Sequence, residues 1–295
     1  MTVTESLILG TIQGLTEFLP ISSSGHLVLG QHYLGLDVDG LKSFDVLVHV
    51  GTLMAILIYF RRDIWGMAKG FFLLLAGKLP LSDPYAKLIG YVLIGSIPAV
   101  IFGFTLEDWM DTNFRNVTTV GICMFVVGVI FLLGEASFRY AHKKNPLRDK
   151  TLEKVAHVRD AIQPEGYEPV EIYGMNWKKA LIIGFAQAIA LLPGVSRSGS
   201  TIVAGLFQGV ERSSAARFSF LLGAPVIFGA GLLTAIKHGD EIANGFTASV
   251  LLAGFFSSFF VGLLTISFLM RYLKNHTLLI FSIYLIAVGL YTWIA

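Results

Sequence analysis

Leu7-Ile8-Leu9-Gly10-Thr11-Ile12-Gln13, followed by Ile21-Ser22-Ser23-Ser24-Gly25-His26, has an echo later in the chain. The echo is Leu181-Ile182-Ile183-Gly184-Phe185-Ala186-Gln187, followed by Val195-Ser196-Arg197-Ser198-Gly199-Ser200. Aligned from Leu7 to His26 and from Leu181 to Ser200, seven of the twenty positions are identical. The shared part is a polar Ser-x-Ser-Gly turn, broken by proline or glycine and embedded in apolar sequence. In lipid such a break leaves backbone groups unsatisfied unless it lines a cavity, so a repeated break points to a paired site between two halves of a membrane protein.

Working outward, the 295 residues are 54% hydrophobic and only 14% charged, with mean hydropathy +0.69. That profile excludes an ordinary soluble enzyme and fits an all-α polytopic membrane protein. Apolar runs at about 43–60, 88–106, 117–134, 218–236, 242–270 and 277–295 approach the roughly 20 residues that cross hydrocarbon, and predict six transmembrane helices. The repeat segments at about 7–34 and 178–210 are each interrupted at their middle, so each reads as a re-entrant helical hairpin that enters and leaves on one side. The start of the chain, Met1 to Ser6, lacks the basic residues of a cleavable signal. The lone Cys123 excludes an intrachain disulfide and reads as a small buried hydrophobe.

Three crossings plus one hairpin give each half an odd number of passages, which forces the halves into opposite orientations. The predicted organisation is a first repeat at 1–139, a cytoplasmic linker at 140–176 with a short surface helix, and a second repeat at 177–295. Gly95 and Gly103 matching Gly254 and Gly262, and Val127-Gly128 matching Val288-Gly289, are further echoes between the halves. This topology gathers on one face Arg61, Arg62, Lys69, Lys78, Lys87, the basic residues from Arg139 to Lys179, Arg212, Arg217, Arg271 and Lys274. That is eighteen of the 22 lysines and arginines. The other face holds Lys42, Arg115 and Lys237 among seven acids, so the positive-inside rule makes the first face cytoplasmic and puts both termini outside. The two Ser-Gly tips then meet near the midplane.

The chemistry-bearing residues lie at those tips. Gln13 and Glu17 share a helix face, as do Ser23 and His26 beyond Pro20. Glu17 is the only acid between Leu7 and Leu36, and a carboxylate at membrane depth marks a site by its cost. In Pro193-Gly194-Val195-Ser196-Arg197-Ser198-Gly199-Ser200-Thr201, an arginine and hydroxyls stand where a helix restarts, which suits an anion. Ser/Gly clusters in membrane helices often serve packing alone, and here Arg197 shifts the balance toward a site. Glu17 and Arg197 neutralise each other at rest in this reading. An entering phosphate meets Arg197, Ser196, Ser198 and Thr201, with Ser23 and His26 opposite. Nucleophile, acid/base and electrophilic clamp are the parts of phosphoryl transfer. His49 reads either as a cavity residue or as a packing histidine.

With these residues in view, the chain resembles the undecaprenyl-pyrophosphate phosphatases of the bacitracin-resistance type. Their signatures are Glu/Gln-x-x-x-Glu, here Gln13 to Glu17, and Pro-Gly-x-Ser-Arg-Ser-x-x-Thr, here Pro193 to Thr201; the stretch Thr16 to His26 is similar as well. The resemblance implies hydrolysis of undecaprenyl pyrophosphate to the monophosphate and inorganic phosphate, which recycles the lipid carrier for peptidoglycan. It implies a bacterial plasma (inner) membrane location and an active site open to the outside. Glu17, Ser23, His26 and Arg197 are then the expected catalytic residues, and Gln13, Ser22, Ser24, Gly194, Ser196, Arg197, Ser198 and Thr201 the phosphate-binding ones. A divalent cation, Mg2+ or Ca2+, is expected on Glu17, held mostly through substrate phosphates. The expected partners are the polyprenyl pyrophosphate and the membrane, with no nucleic acid; a homodimer is compatible with the reading. Ser23 is the expected nucleophile, with a serine-activated water as the competing scheme. By shape alone a secondary transporter or lipid flippase with inverted repeats competes, but it gives no reason for a Ser/His pair facing an Arg-Ser cluster.

Overall fold

A computed structural model of the chain describes residues 1–144 and 174–294. Among the described residues the structure is all helix, with no strand. The first half holds α1 (Val3–Phe18), α2 (Ser23–Tyr33), α3 (Lys42–Tyr59), α4 (Arg61–Leu75), α5 (Pro84–Phe114) and α6 (Val117–Lys144). The second holds α7 (Trp177–Ile189), α8 (Arg197–Phe207), α9 (Arg212–Gly245), α10 (Ala248–Asn275) and α11 (Leu279–Ile294).

Among the described residues five segments are long and apolar enough to cross a membrane: Lys42–Tyr59, Pro84–Leu106, Val117–Ala141, Arg212–Lys237 and Ala248–Asn275. The chain is therefore a multi-pass membrane protein. Large side chains such as Leu93, Phe104, Leu133, Phe260 and Leu264 are exposed along these helices, the surface that acyl chains cover. The sixth expected crossing is α11, apolar but only 16 residues, about 24 Å at the helical rise and short of the ~30 Å hydrocarbon layer.

Other boundaries also moved. α6 runs to Lys144, past the expected boundary at 139; the expected linker helix lies outside the described residues. The break expected near 242 falls at Phe246 and Thr247, because α9 continues through the polar residues after Lys237. Helices continue beyond the apolar core wherever their backbone stays paired, so hydropathy undershoots their ends. α4 was not anticipated, since its basic and apolar residues alternate too closely for a span.

Packing positions the hairpins. α1 lies on α10, with Ser6 Oγ donating to Val250 O (2.6 Å), and a Cβ on Gly10 would run into the Gly254 backbone. α7 lies on α5 in the matching way, and a Cβ on Gly184 would run into the Gly95 backbone. Each hairpin's first helix thus leans on a long helix of the other half. α6 and α11 cross at Gly121, Gly128 and Gly289, small residues that let backbones approach.

Directions follow from the same contacts. α3 and α10 run side by side, from Phe44 beside Gly254 to Tyr59 in the cavity that Met270 also lines. Met1, Leu36, Leu41 and Phe246 gather at one end of the molecule, where α1 begins and α2 finishes. α5 and α9 start from the other end, where Tyr85 and Arg217 line one cavity.

Candidate functional site

Each hairpin turns on a serine. Thr2 and Glu5 close a reciprocal cap at the start of α1 (Thr2 N–H to Glu5 Oε2, 2.7 Å), which lets the helix begin at Val3. α1 ends before Leu19-Pro20, and Ser22 then caps α2 by accepting from Gly25 N–H (3.3 Å). Ser22 has φ 73°, the only non-glycine residue with positive φ among the described residues. In the second hairpin Gly194 takes the left-handed turn at φ 92°, and a side chain there would strike Val120 and Cys123. Ser196 caps α8 by accepting from Gly199 N–H (3.2 Å).

The tips meet at Glu17. Its side chain is 2% exposed, and both oxygens are engaged. Arg197 of α8 pairs with Oε1, while Ser23 Oγ donates to Oε2 at 2.6 Å and Gln13 Nε2 donates to the same oxygen at 2.9 Å. A carboxylate and a guanidinium from opposite hairpins thus neutralise each other inside the protein, which a buried charge requires. Gly223 of α9 makes room for the cation, since a Cβ there would overlap the Arg197 guanidinium.

Two residues of α3 complete this network: His49, which the sequence leaves open between cavity and packing, and Thr52, which it does not single out. His49 of α3 points Nε2 at Glu17 Oε2 (3.5 Å) while Nδ1 donates to Asp45 O (2.7 Å). Thr52, one turn on, accepts from Gln13 Nε2 (3.4 Å). Asp45 is itself held by Arg115 and by Gln31 Nε2 (2.6 Å), so α3 is anchored to α2 and to the residues after α5.

His26 stands beside this network. Its Nδ1 faces Ser22 O (2.7 Å) and so carries the proton, leaving Nε2 to accept from the Tyr284 hydroxyl (2.8 Å). The two rings stack, with centroids 5.6 Å apart. Tyr284 lies in the last apolar helix, where nothing in the sequence distinguishes it.

The expected phosphate-binding hydroxyls divide. Ser24 is half-buried and makes no hydrogen bond with the described residues, so it is available to a ligand. Ser198 Oγ faces Leu19 O (3.4 Å), a link between the tips. Ser196 serves the helix cap. Thr201 is buried, with its hydroxyl between Arg197 O (2.8 Å) and Ser219 Oγ (2.6 Å), which fixes the first turn of α8.

For a cation the donors are few. No cluster of three or more His, Cys, Asp or Glu occurs among the described residues. Gln13 Oε1 is buried without a partner beside Glu17, so an amide oxygen and a carboxylate lie together. That oxygen pair fits a hard divalent ion taking its remaining ligands from a pyrophosphate.

The family described as Bacitracin resistance protein BacA matches residues 6–291. A protein of Rubrobacter xylanophilus named undecaprenyl-diphosphatase is 41% identical over 97% of this chain and 95% of its own length. Proteins of the same name from Methanosphaera stadtmanae (38% identical, 98% of this chain and 96% of theirs) and Chlorobium phaeovibrioides (39%, 98% and 95%) are similar throughout. By its two meeting tips, its two signatures and these matches, the chain belongs to the bacitracin resistance protein BacA family.

Proposed function

We propose that this protein hydrolyses undecaprenyl pyrophosphate to undecaprenyl phosphate and inorganic phosphate, and that the meeting point of the two hairpins is its active site. The observation that carries the reading is the shared carboxylate of Glu17, which holds the Ser23 hydroxyl with one oxygen and Arg197 with the other. Full-length similarity to relatives named for this reaction supports the substrate.

The chemistry follows from that carboxylate. A pyrophosphate entering between the tips draws Arg197 onto the oxygens of its terminal phosphoryl group and leaves Glu17 free to accept a proton. Ser23 Oγ attacks the terminal phosphorus in line, its proton passes to Glu17, and the P–O bond to the lipid monophosphate breaks. Glu17 passes that proton to the departing lipid phosphate; water then attacks the phosphoserine, Glu17 takes the water's proton and returns it to Ser23 Oγ as the P–O bond to serine breaks, and phosphate leaves. The alternative within the same site is direct attack by water oriented by Ser23 and Glu17. Ser24 and the free backbone N–H groups at the start of α8 bind phosphate oxygens. A divalent cation on Glu17 and Gln13 Oε1 would supply charge neutralisation on the pyrophosphate. His26, bonded to Tyr284, stands where it orients the headgroup or relays a proton.

The topology belongs to the same reading. Inverted repeats at 1–139 and 177–295, with two re-entrant hairpins, are supported by the reciprocal packing of α1 on α10 and α7 on α5. They are also supported by the ends at which the hairpins finish, α2 at the Met1 end and α8 beside the start of α9 at the other, where Gly205 meets Ala215. α11 completes six crossings if the bilayer thins or its flanks snorkel. The basic bias then puts the first hairpin's mouth and both termini outside the bacterial plasma membrane.

Phosphate release from polyprenyl pyrophosphate by detergent-purified protein with Mg2+ or Ca2+ tests the reading. Wild type should release phosphate and Arg197→Ala should not. Micelles have no compartments, so release cannot come from transport, and a wild type without release overturns the enzyme.

A further inference from the structure

A cavity of about 880 Å³ opens far from Glu17, between the end of α3, α4, the start of α5, the start of α9 and the end of α10. It lies at the end of the molecule opposite Met1. Along α10, Gly254 sits near the Met1 end and Arg271 at the cavity, seventeen residues or about 25 Å apart at the helical rise. The cavity shares no residue with the site at the hairpin tips.

Six cations line it: Arg61, Arg62, Lys69, Arg217, Arg271 and Lys274. Its two carboxylates, Asp63 and Asp83, offset only part of that charge. Asp63 pairs with Arg217 (2.5 Å), and Asp83 caps α5 by accepting from Tyr85 N–H (2.8 Å). Arg61 and Arg271 donate only to backbone carbonyls, of Ile58 (3.2 Å) and Ser267 (3.0 Å). Arg62, Lys69 and Lys274 make no ion pair among the described residues.

A general basic bias of one membrane face would scatter cations over loops and pair them where acids are near. Arg139 and Arg212 behave that way, both on Glu135. In the cavity, by contrast, six cations face one recess with only two carboxylates, an excess of four positive charges among the described residues whose mutual repulsion an anion relieves. Lipid is within reach as well: α4 exposes Trp65, Phe72 and Leu75, and Trp65 also lines the recess. A helix carrying Arg and Lys toward a pocket and bare aromatic and aliphatic residues elsewhere belongs at the headgroup level.

We infer that this recess is a second phosphate site, built to hold the phosphate headgroup of an anionic lipid in the leaflet opposite the mouth of the first hairpin. The recognising chemistry, several guanidinium and ammonium groups around phosphate oxygens, is common to a lipid headgroup and to free phosphate. The apolar flank of α4 favours the lipid.

The test is a binding titration of the detergent-purified full chain with three probes: short-chain phosphatidic acid, short-chain phosphatidylcholine and inorganic phosphate. Each cation near an anionic lipid contributes roughly fivefold in affinity. The variant R62Q/R271Q/K274Q should therefore bind phosphatidic acid at least about tenfold more weakly than wild type. K78Q/K87Q, which removes two lysines of the same end that lie outside the recess, should stay within about twofold. K69Q/K274Q repeats the measurement should the triple variant fail to fold, and retained phosphate release at the distant hairpin site reports folding. Binding of phosphatidic acid without inorganic phosphate supports a headgroup site; binding of both supports a phosphate site filled from either source. No selective binding by wild type, or equal loss in K78Q/K87Q, overturns the inference.

Discussion

At the tip of the first hairpin Ser22 caps α2 on Gly25; at the tip of the second Ser196 caps α8 on Gly199. The caps correspond, yet the backbones around them do not. The second hairpin assigns its left-handed residue to Gly194, whereas the first, with Pro20 in the aligned place, forces Ser22 itself to positive φ. The polar load is divided just as unevenly. Gln13 reaches Glu17, while its counterpart Gln187 is buried with neither amide atom partnered among the described residues, because Leu191 stands where the first hairpin has Glu17. The second hairpin in return carries Arg197 where the first has Ser23. In the proposed reaction the first hairpin is the arm with nucleophile and base and the second the arm that clamps phosphate, and the one positive φ at a non-glycine among the described residues lies on the first.

Removing either side of the pair should break the comparison hardest. Arg197→Ala should lower kcat/KM by about 10³-fold or more, as for an arginine that stabilises a transferring phosphoryl group, measured as phosphate release in detergent. Glu17→Gln should lower kcat by about 10²- to 10⁴-fold through loss of the base. Gly223→Ala sharpens the geometry: its methyl overlaps the guanidinium, so kcat/KM should fall roughly 10²-fold with the fold intact. The two glutamines differ next. Gln13→Leu should reduce activity, whereas Gln187→Leu should leave activity unchanged and raise stability by about 1–3 kcal/mol, since it deletes an unpartnered buried amide, read from thermal unfolding. Smallest, Ser22→Gly should stabilise by about 1 kcal/mol, because glycine removes the φ strain and still tolerates the cap position.

Much of this was legible in the sequence. The long apolar runs announced six crossings, five of which are helices long and apolar enough to span among the described residues, and the isolated Glu17 and Arg197 announced a pair, because a lone charge in apolar sequence is too costly to bury without a partner. The ends of α6 and α9 were not legible, since a helix persists past the residues that lipid selects. α4 was hidden because its cations and aromatics serve two different surfaces within a few turns. His49, Thr52, Tyr284 and Gly223 lie on helices distant from the motifs, and only packing brings them to the tips. Ser196 and Thr201 read from the motif as phosphate ligands, and the structure shows a further task that the motif does not reveal: they secure the first turn of α8 that presents Arg197.

Glu17 and Arg197, paired at rest and divided between base and clamp in the reaction, should act as one catalytic unit, and a double-mutant cycle on kcat/KM measures that coupling. With Glu17→Gln, Arg197→Gln and the double variant measured together, the losses should be strongly non-additive, the double variant being little worse than the poorer single one. Losses that simply multiply would show that Glu17 and Arg197 act independently, and would contradict it.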